Sequence, residues 1–184
     1  MKVTPTTGLP EVLVIEPRVF TDERGWFMES FNQQAFDAAL GRHVGFVQDN
    51  QSRSTRGVLR GLHYQVPPHG QGKLVRVTQG AVFDVAVDIR RSSPSFGRWT
   101  GIELTAENQR QLWIPPGFAH GFLVLSENAD FAYKTTEYWH AESDCAIRWD
   151  DPTLAIAWPA LPIPLNIGAK DRAAPSFSEA QTCP

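Results

Sequence analysis

The stretch that decides the fold is residues 73–90, KLVRVTQGAVFDVAVDIR. Residues 73–78 and 81–89 are apolar or alternate between polar and apolar side chains, which are the patterns of buried and half-buried β-strands. Gln79 and Gly80 separate the two runs, and a glycine in that place is typical of a tight turn. We therefore predict two neighbouring strands that form a hairpin at Gly80.

Short apolar runs continue on both sides of this stretch. Before it, residues 12–15 predict a strand, and Arg24-Gly25 predicts a turn between two more strands. After it, further strands are predicted at residues 99–104, 111–114, 121–126 and 131–139, with turns at 115–117 and 127–128. Many short strands without helices between them indicate an all-β sandwich or barrel and not a parallel α/β sheet.

One short helix and one domain complete this picture. Residues 32–40 predict a peripheral helix with Phe36 and Leu40 on one face, ended by Gly41. At 184 residues the chain has the length of one domain, because about 100–200 residues per domain is usual. We predict a single domain over residues 1–184, with the Pro- and Ala-rich segment from about residue 160 wrapping the barrel.

Charge and cysteine content exclude several classes of protein. The formal net charge of -3 argues against binding to nucleic acid, which requires basic faces. The chain has 2 cysteines and neither a disulfide framework nor paired-cysteine metal spacing. The N-terminus lacks the apolar core of a signal peptide, and no run reaches the roughly 18 apolar residues of a membrane helix. We expect a cytoplasmic protein that binds neither membrane nor nucleic acid.

A cluster of cations around one histidine indicates a site. Residues 56–73, RGVLRGLHYQVPPHGQGK, place His63, Arg56, Arg60 and Lys73 beside apolar residues. Burial of a base and three cations is costly unless partners or an anionic ligand compensate. A lone histidine is more often a hydrogen-bonded core residue, and a lysine at a strand end is usually solvated. Because these residues occur together, we interpret the stretch as an active-site wall.

A second stretch, WIPPGFAHGF at residues 113–122, completes a recognisable pair. Together the two stretches resemble the motifs of the cupin superfamily, which implies a double-stranded β-helix jelly roll with a few short peripheral helices. Metal-binding cupins have two histidines separated by one residue and then a carboxylate. Here Gln65 stands at the second histidine and Lys73 near the carboxylate, and a cation is a poor metal ligand. The resemblance therefore implies a cupin with no metal and no cofactor.

A closer resemblance covers residues 14–152 and extends to KDRAAP at 170–175. The segments, in order, are RVFTDERGWFMESF, FVQDNQSRS, RGLHYQ, KLVRVTQGAVFDVAVDIR, WIPPGFAHGF, YKTTEYW and IRWDDP. Their order and spacing resemble the dTDP-4-dehydrorhamnose 3,5-epimerase family. The resemblance implies an isomerase of dTDP-rhamnose biosynthesis that inverts C3 and C5 of a dTDP-linked 4-keto-6-deoxyhexose. It also implies a homodimer in which N-terminal strands cross to the partner.

The resemblance assigns four catalytic roles. His63 matches the base that removes protons, and Asp171 matches the carboxylate that orients it and supports its positive charge. Lys73 would hold the C4 oxyanion. Tyr133 would deliver a proton from the other face of the sugar, although a tyrosine in such a strand is most often a core residue.

The resemblance also implies a set of substrate-binding residues. Arg60 and His120 would flank the sugar, and either Tyr138 or Trp139 would stack on thymine. Asp144 stands where a glutamate is expected, and Lys170 directly precedes Asp171. The nucleotide would be held, in part across a dimer interface, by Arg24, Glu29, Gln48 and Asn50.

Three alternatives stay open at this point. A relative of the same fold could invert only C3 or only C5, or could shift the keto group between C3 and C4. A metal-dependent cupin dioxygenase could use His63, His69 and His120 with Asp84, although Gln65 and Lys73 count against it. A module that binds sugar nucleotides without catalysis is the third alternative, and the intact set of catalytic residues counts against that.

Overall fold

Two sheets packed face to face form the body of the structure, a computed structural model that describes residues 1–184. The first sheet contains, in spatial order, β1 (Lys2–Pro5), β2 (Leu13–Glu16), β10 (Gln111–Ile114), β7 (Lys73–Gln79), β12 (Asn128–Thr135) and β5 (Gln48–Thr55). The second contains β13 (Asp144–Ala146), β6 (Val58–Gln65), β11 (Phe118–Val124), β8 (Ala81–Asp88) and β9 (Trp99–Thr105), with the short β14 (Asn166–Ile167) parallel to β6. All other pairings between these strands are antiparallel, and the predicted all-β jelly roll is confirmed.

The apolar core lies between the two sheets. Val75 and Phe131 of the first sheet meet Val82, Ala86 and Phe122 of the second in one buried cluster. Burial of apolar area of this kind contributes roughly 25 cal/mol per Å² and is the main force that holds such sandwiches together.

The predicted hairpin at Gly80 is wrong. β7 pairs with β10 and β12 in the first sheet, whereas β8 pairs with β11 and β9 in the second. Gly80 has a φ of +77°, so the chain does turn there, but it passes from one sheet to the other. A turn residue predicts where the chain reverses and does not determine whether the flanking strands exchange hydrogen bonds.

Most of the other predicted strands are present with shifted ends. Residues 111–114 are predicted without error as β10, while β11 begins at Phe118, three residues earlier than predicted. β12 spans Asn128–Thr135 and not 131–139, because its polar first residues pair with β5. β5 itself, QDNQSRST, is polar throughout and carries no hydrophobic signal.

The predicted helix is confirmed as α1 (Gln33–Leu40). The Asn32 side chain caps its first turn by accepting a hydrogen bond from the Ala35 amide at 3.0 Å, and Gly41 ends it with a φ of +68°. Phe36 is buried against Trp113 with ring centroids 5.4 Å apart. The second helix, α2 (Ala169–Arg172), is a single turn. Neither helix has the length and apolar character needed to cross a membrane.

The C-terminal segment covers the outer face of the second sheet. Phe177, Ala180 and Cys183 pack on Val85 and Val87 of β8. β8 is therefore covered on both faces, which explains why its sequence is apolar almost throughout. These contacts support one domain over residues 1–184, and that organisation stays a prediction.

An N-terminal hairpin stands apart from both sheets. It consists of β3 (Val19–Asp22) and β4 (Gly25–Met28), and it forms a separate two-stranded sheet. The strands are joined by a turn at Glu23-Arg24, one residue before the predicted Arg24-Gly25. Four of its large apolar side chains are exposed, with Trp26 at 59% and Phe27 at 68%. A soluble monomer rarely exposes adjoining apolar side chains of this size, so the hairpin has the character of an interaction surface.

A β-bulge in β6 turns two side chains toward the same face. His120 of β11 lies opposite His63 and Phe122 lies opposite Arg60, so β6 has one residue more than β11 between these pairs. Gly61 occupies the bulge with a φ of +113°, in close contact with Gly121. Simple alternation would place Arg60 and His63 on opposite faces. The bulge places both on the inner face.

We predict that Gly61→Ala destabilises the fold by about 3 kcal/mol or more. A Cβ at Gly61 would lie 2.6 Å from both the Gly121 Cα and the His120 carbonyl oxygen, and its φ is unfavourable for alanine. Gly8→Ala is the matched control, because Gly8 has a φ of +86° but open space around it; we expect it to cost about 1–2 kcal/mol. Denaturant unfolding measures both, and equal losses would contradict the role given to the close approach.

Candidate active site

One polar pocket of about 340 Å³ opens between the two sheets. Nine of the fourteen predicted site residues line it: Asn50, Arg60, His63, Lys73, His120, Tyr133, Trp139, Asp144 and Lys170. They come from β5, β6, β7, β11, β12 and β13, from the segment after β12, and from α2. The jelly roll therefore gathers side chains that are up to about 120 positions apart into one cavity, as ligand sites of small β-barrels do.

His63 and Asp171 form the predicted pair. The His63 Nε2 atom lies 2.5 Å from Asp171 Oδ1, and Asp171 is buried within the single turn of α2. His63 is about one-third exposed toward the pocket. Because Nε2 bonds to the carboxylate, Nδ1 is the ring atom left to exchange a proton. The pair has the geometry of a base with an orienting acid.

Lys73 is a buried cation beside this pair. It is 8% exposed, and its Nζ atom donates to the backbone oxygen of His63 at 3.2 Å. Burial lowers the pKa of Lys73 to about 8, against the opposing attraction of Asp144 and Asp84. At neutral pH the ammonium is therefore still mostly protonated, and it is poorly solvated. Such a cation is suited to stabilise an anion inside the pocket.

Tyr133 and Arg60 lie on opposite sheets of the pocket. Tyr133 is on β12 of the first sheet, and burial raises the pKa of its phenol despite the nearby Arg60 guanidinium. Arg60 is on β6 of the second sheet, where Nε and Nη2 both donate to Ser54 Oγ at 3.1 Å. A phenol with a raised pKa keeps its proton at neutral pH, so it can donate one.

His120 is paired with a carboxylate deep in the pocket wall. Its Nε2 atom lies 3.0 Å from Asp84 Oδ2, and both residues are buried. Burial raises the pKa of Asp84 and lowers that of His120, because charge on either group is poorly solvated. Asp88, the other buried aspartate of β8, pairs with Arg90 at 2.7 Å.

Asp144 holds one edge of the pocket despite its short side chain. Its Oδ2 atom accepts from Lys170 Nζ at 2.5 Å and from Trp139 Nε1 at 3.2 Å. Trp139 lines the pocket, whereas Tyr138 is exposed and does not. Of the two aromatic residues predicted for stacking, Trp139 is therefore the one that a ligand in the pocket can contact.

The remaining predicted residues lie outside the pocket of the single chain. Gln48 does not line the pocket but contacts a residue that does, because its Nε2 donates to Asn50 Oδ1 at 2.9 Å. Arg24 is at the tip of the N-terminal hairpin and pairs with Asp22 at 2.5 Å. Glu29 lines a separate cavity beside Phe31. Arg24 is remote because its hairpin belongs to neither sheet of the sandwich, whereas Glu29 borders Ile15 and Leu74 of the first sheet.

The ligand set of the metal-dependent alternative is not assembled. His63 pairs with Asp171 and His120 with Asp84, while the His69 ring stacks on His140 instead. Gln65 stands at a histidine position of metal-binding cupins. Its side chain forms hydrogen bonds with backbone groups of His69, Tyr138 and His140.

Several pocket residues carried no sequence signal. Gln51, Ser52 and Gln71 are polar, and Phe122 and Phe131 are apolar residues of strands, so each has an ordinary explanation by itself. Ser54, which positions Arg60, is equally inconspicuous. The polar residues of β5 alternate in exposure, and that period of two is the one pattern that could have identified them.

The comparisons with known proteins agree on one family. A family model described as dTDP-4-dehydrorhamnose 3,5-epimerase matches residues 6–179. The dTDP-4-dehydrorhamnose 3,5-epimerase of Pseudomonas aeruginosa is 58% identical over 184 residues, which is 100% of both chains.

Solved structures of sugar-nucleotide epimerases resemble this chain over nearly its whole length. The chain is similar to dTDP-6-deoxy-D-glucose-3,5-epimerase from Legionella pneumophila in complex with dTDP-4-keto-L-rhamnose, with a TM-score of 0.93 and 53% identity over 97% of this chain and 93% of that one. It is also similar to a 3'-monoepimerase from Streptomyces bikiniensis in complex with dTDP-quinovose, with a TM-score of 0.88 and 33% identity over 95% and 87% of the two chains.

We predict that Lys73→Met stabilises the folded protein by about 3 kcal/mol at pH 7, because the lowered pKa reflects the cost of burying the charge. From about pH 8 up to the pKa of an unfolded lysine, about 10.4, the unfolded chain holds a proton that the folded chain has lost. The stability of the parent protein therefore rises with pH there and the advantage of the variant shrinks.

Lys134→Met, on the surface beside Asp49, is the control and should change little. Urea unfolding at pH 7 and pH 10 tests this, and a destabilised Lys73→Met variant would contradict it.

Proposed function

The chain belongs to the dTDP-4-dehydrorhamnose 3,5-epimerase family, and from this premise we propose how its pocket inverts C3 and C5 of dTDP-4-dehydro-6-deoxy-D-glucose. The product is dTDP-4-dehydro-L-rhamnose, in dTDP-rhamnose biosynthesis. The observation that carries the proposal is the His63–Asp171 pair, which shares one pocket with Lys73 and with Tyr133 of the opposite sheet.

The reaction needs three groups around the sugar. The C4 carbonyl acidifies the hydrogens on C3 and C5, so each inversion needs a base, a group that stabilises the enolate, and an acid on the opposite face. In the gluco configuration both hydrogens are axial and lie on the same side of the ring. One base can therefore serve both carbons.

His63 is the proposed base. Its neutral Nδ1 atom takes the proton, and the imidazolium that forms is stabilised by Asp171 at 2.5 Å. Because Asp171 is buried and accepts from Nε2, it also fixes which nitrogen faces the substrate. The carboxylate acts through His63 and does not itself contact the sugar.

Lys73 is the proposed enolate stabiliser. Proton removal moves negative charge onto the C4 oxygen, and a poorly solvated ammonium in the pocket wall stabilises that charge more in the transition state than in the ketone. Its contact with the His63 backbone holds the base and the cation at a set spacing.

Tyr133 is the proposed acid. It projects from the first sheet, whereas His63 projects from the second, so a sugar between the sheets has one group on each face. Its raised pKa keeps the phenol protonated until a carbanion is present. Proton removal on one face and return on the other is what inverts a carbon centre.

The nucleotide is proposed to occupy the edge of the pocket near Lys170. Arg60, with its planar fork, and Lys170 supply positive charge for the pyrophosphate, and His120 flanks the sugar with Arg60. Trp139 offers a face for the thymine ring. Asn50 and its neighbour Gln48, which accepts from the Trp139 amide at 3.3 Å, lie at the same side.

A homodimer is proposed to supply Arg24 and Glu29. These two residues do not line the pocket of their own chain, and the hairpin that carries Arg24 exposes Phe20, Trp26 and Phe27. A partner that covers this hairpin would bury the apolar side chains and bring Arg24 to a second pocket. Apolar patches of this kind are typical of interfaces.

The cytoplasm is the proposed compartment. Cys145 and Cys183 are both free thiols, which is the state that a reducing compartment maintains.

Deuterium exchange tests the catalytic roles. With the parent protein and substrate in heavy water, mass analysis should find one deuteron at C3 and one at C5. We expect His63→Ala to lower the exchange rate at both carbons by at least about 100-fold while dTDP binding persists, and Tyr133→Phe to keep exchange but impair inversion.

The matched control for this test is His43→Ala. His43 also bonds to a carboxylate, Asp37, but lies on the surface away from the pocket, so its loss should leave both rates unchanged. Loss at one carbon only in His63→Ala would reveal a second base. An unchanged epimerisation rate in Tyr133→Phe would remove Tyr133 as the acid, and a single deuteron with the parent protein would indicate an epimerase of one carbon.

Sedimentation velocity tests the proposed dimer. The parent protein should sediment at twice the chain mass, and the double variant Trp26→Ser/Phe27→Ser should shift toward the monomer, with at least tenfold weaker dTDP binding because Arg24 is displaced. Ile163→Ser removes an exposed apolar side chain elsewhere and should change neither property. A monomeric parent protein would contradict the proposal.

A further inference from the structure

Three side chains with metal-ligand chemistry lie together outside the catalytic set. His69, Glu137 and His140 each offer one ligand atom, and these atoms all lie within 4.8 Å of one another. All three residues are partly buried. The proposed epimerisation uses none of them, and this is the single group of three such residues in the chain.

The two histidines come from separate segments that meet at this point. His69 belongs to the segment between β6 and β7, and His140 follows β12. Their rings stack with centroids 3.5 Å apart and an angle of 15° between the planes. Glu137 is three residues before His140, with Oε1 3.9 Å from His140 Nε2. The group is therefore assembled by tertiary structure and not by one flexible loop.

A buried glutamine holds the backbone of the group in place. Gln65 Nε2 donates to the backbone oxygens of His69 at 2.6 Å and Tyr138 at 3.1 Å, and its Oε1 accepts from the His140 amide at 2.7 Å. Gln71 Nε2 donates to the Glu137 backbone oxygen at 2.8 Å. The backbone around all three residues is therefore held in place, so that a metal has to order only their side chains.

We propose that His69, Glu137 and His140 form a binding site for a divalent late transition metal such as Zn²⁺ at the rim of the substrate pocket. Two imidazoles and one carboxylate form a ligand set that Zn²⁺ prefers, with a fourth position left for water. Bonds of about 2.0–2.1 Å in tetrahedral geometry separate ligand atoms by about 3.4 Å, so the widest pair needs to close by at most about 1.4 Å. Because an imidazole nitrogen binds a metal in the plane of its ring, the His69 and His140 rings have to rotate out of their stack to reach one ion, and these two side chains are partly exposed.

The metal would restrain one wall of the substrate pocket. Trp139 lies between Glu137 and His140 in sequence and lines the pocket, as does Gln71 on the other segment. A metal that ties His69 to Glu137 and His140 would fix both segments and limit the movement of Trp139. The site is therefore structural and lies outside the proton-transfer chemistry.

Zinc titration tests the proposal. The full-length protein, treated with EDTA and desalted, is titrated with ZnCl₂ by calorimetry at pH 7.5. We expect one saturable equivalent per chain and a melting temperature that rises with Zn²⁺. His140→Ala and Glu137→Gln should each weaken Zn²⁺ binding at least tenfold and abolish the rise in melting temperature. Glu137→Gln keeps the side-chain size and serves if His140→Ala folds poorly.

His43→Ala is the matched control, because it removes an exposed histidine that also contacts a carboxylate. It should bind Zn²⁺ as the parent protein does. Absence of saturable binding, or unchanged binding by both His140→Ala and Glu137→Gln, would overturn the proposal. Binding lost in His120→Ala but kept in His140→Ala would place the metal among the pocket residues and would also overturn it.

Discussion

The close approach of β6 and β11 at Gly61 and Gly121 is the constraint on which the site depends. With no side chain at either position, one extra residue fits into β6, and the inner face then receives Arg60 as well as His63. The rest of the pocket is built around these two, since Asp171 contacts His63, Lys73 contacts the His63 backbone, and Ser54 contacts Arg60. A regular strand would have left one of the pair outside.

The same sandwich has to accommodate charge in its interior. Lys73, Asp84 and His120 are buried beside an apolar cluster, and the pKa of each is displaced in the direction that burial imposes. A cation and a carboxylate that are kept out of water weaken the fold but have strong fields. The reaction passes through a transient oxyanion, which a buried cation stabilises strongly. The protein therefore loses some folding stability to burial of these charges but gains stabilisation of the transition state.

The sequence predicted the class of fold and most of the pocket, and its failures have physical causes. Strand periodicity located β7, β8 and β10 because these strands are buried, but it missed β5, whose residues are polar. The turn at Gly80 was found, yet the sheet that each strand joins depends on long-range pairing that no local pattern encodes. Family resemblance supplied Asp171, which lies 108 residues from His63 and which spacing alone could not have connected to it.

The position of Asp171 in the C-terminal segment links activity to the completeness of folding. All twelve strands up to β12 leave the ribosome before Asp171 does, so a nascent chain can assemble most of its barrel while His63 still lacks its carboxylate. The segment that brings Asp171 also covers Val85 and Val87 on the outer face of the second sheet. A chain in which this segment has not docked is therefore both inactive and marked by exposed apolar surface, the feature by which chaperones and proteases distinguish unfinished proteins.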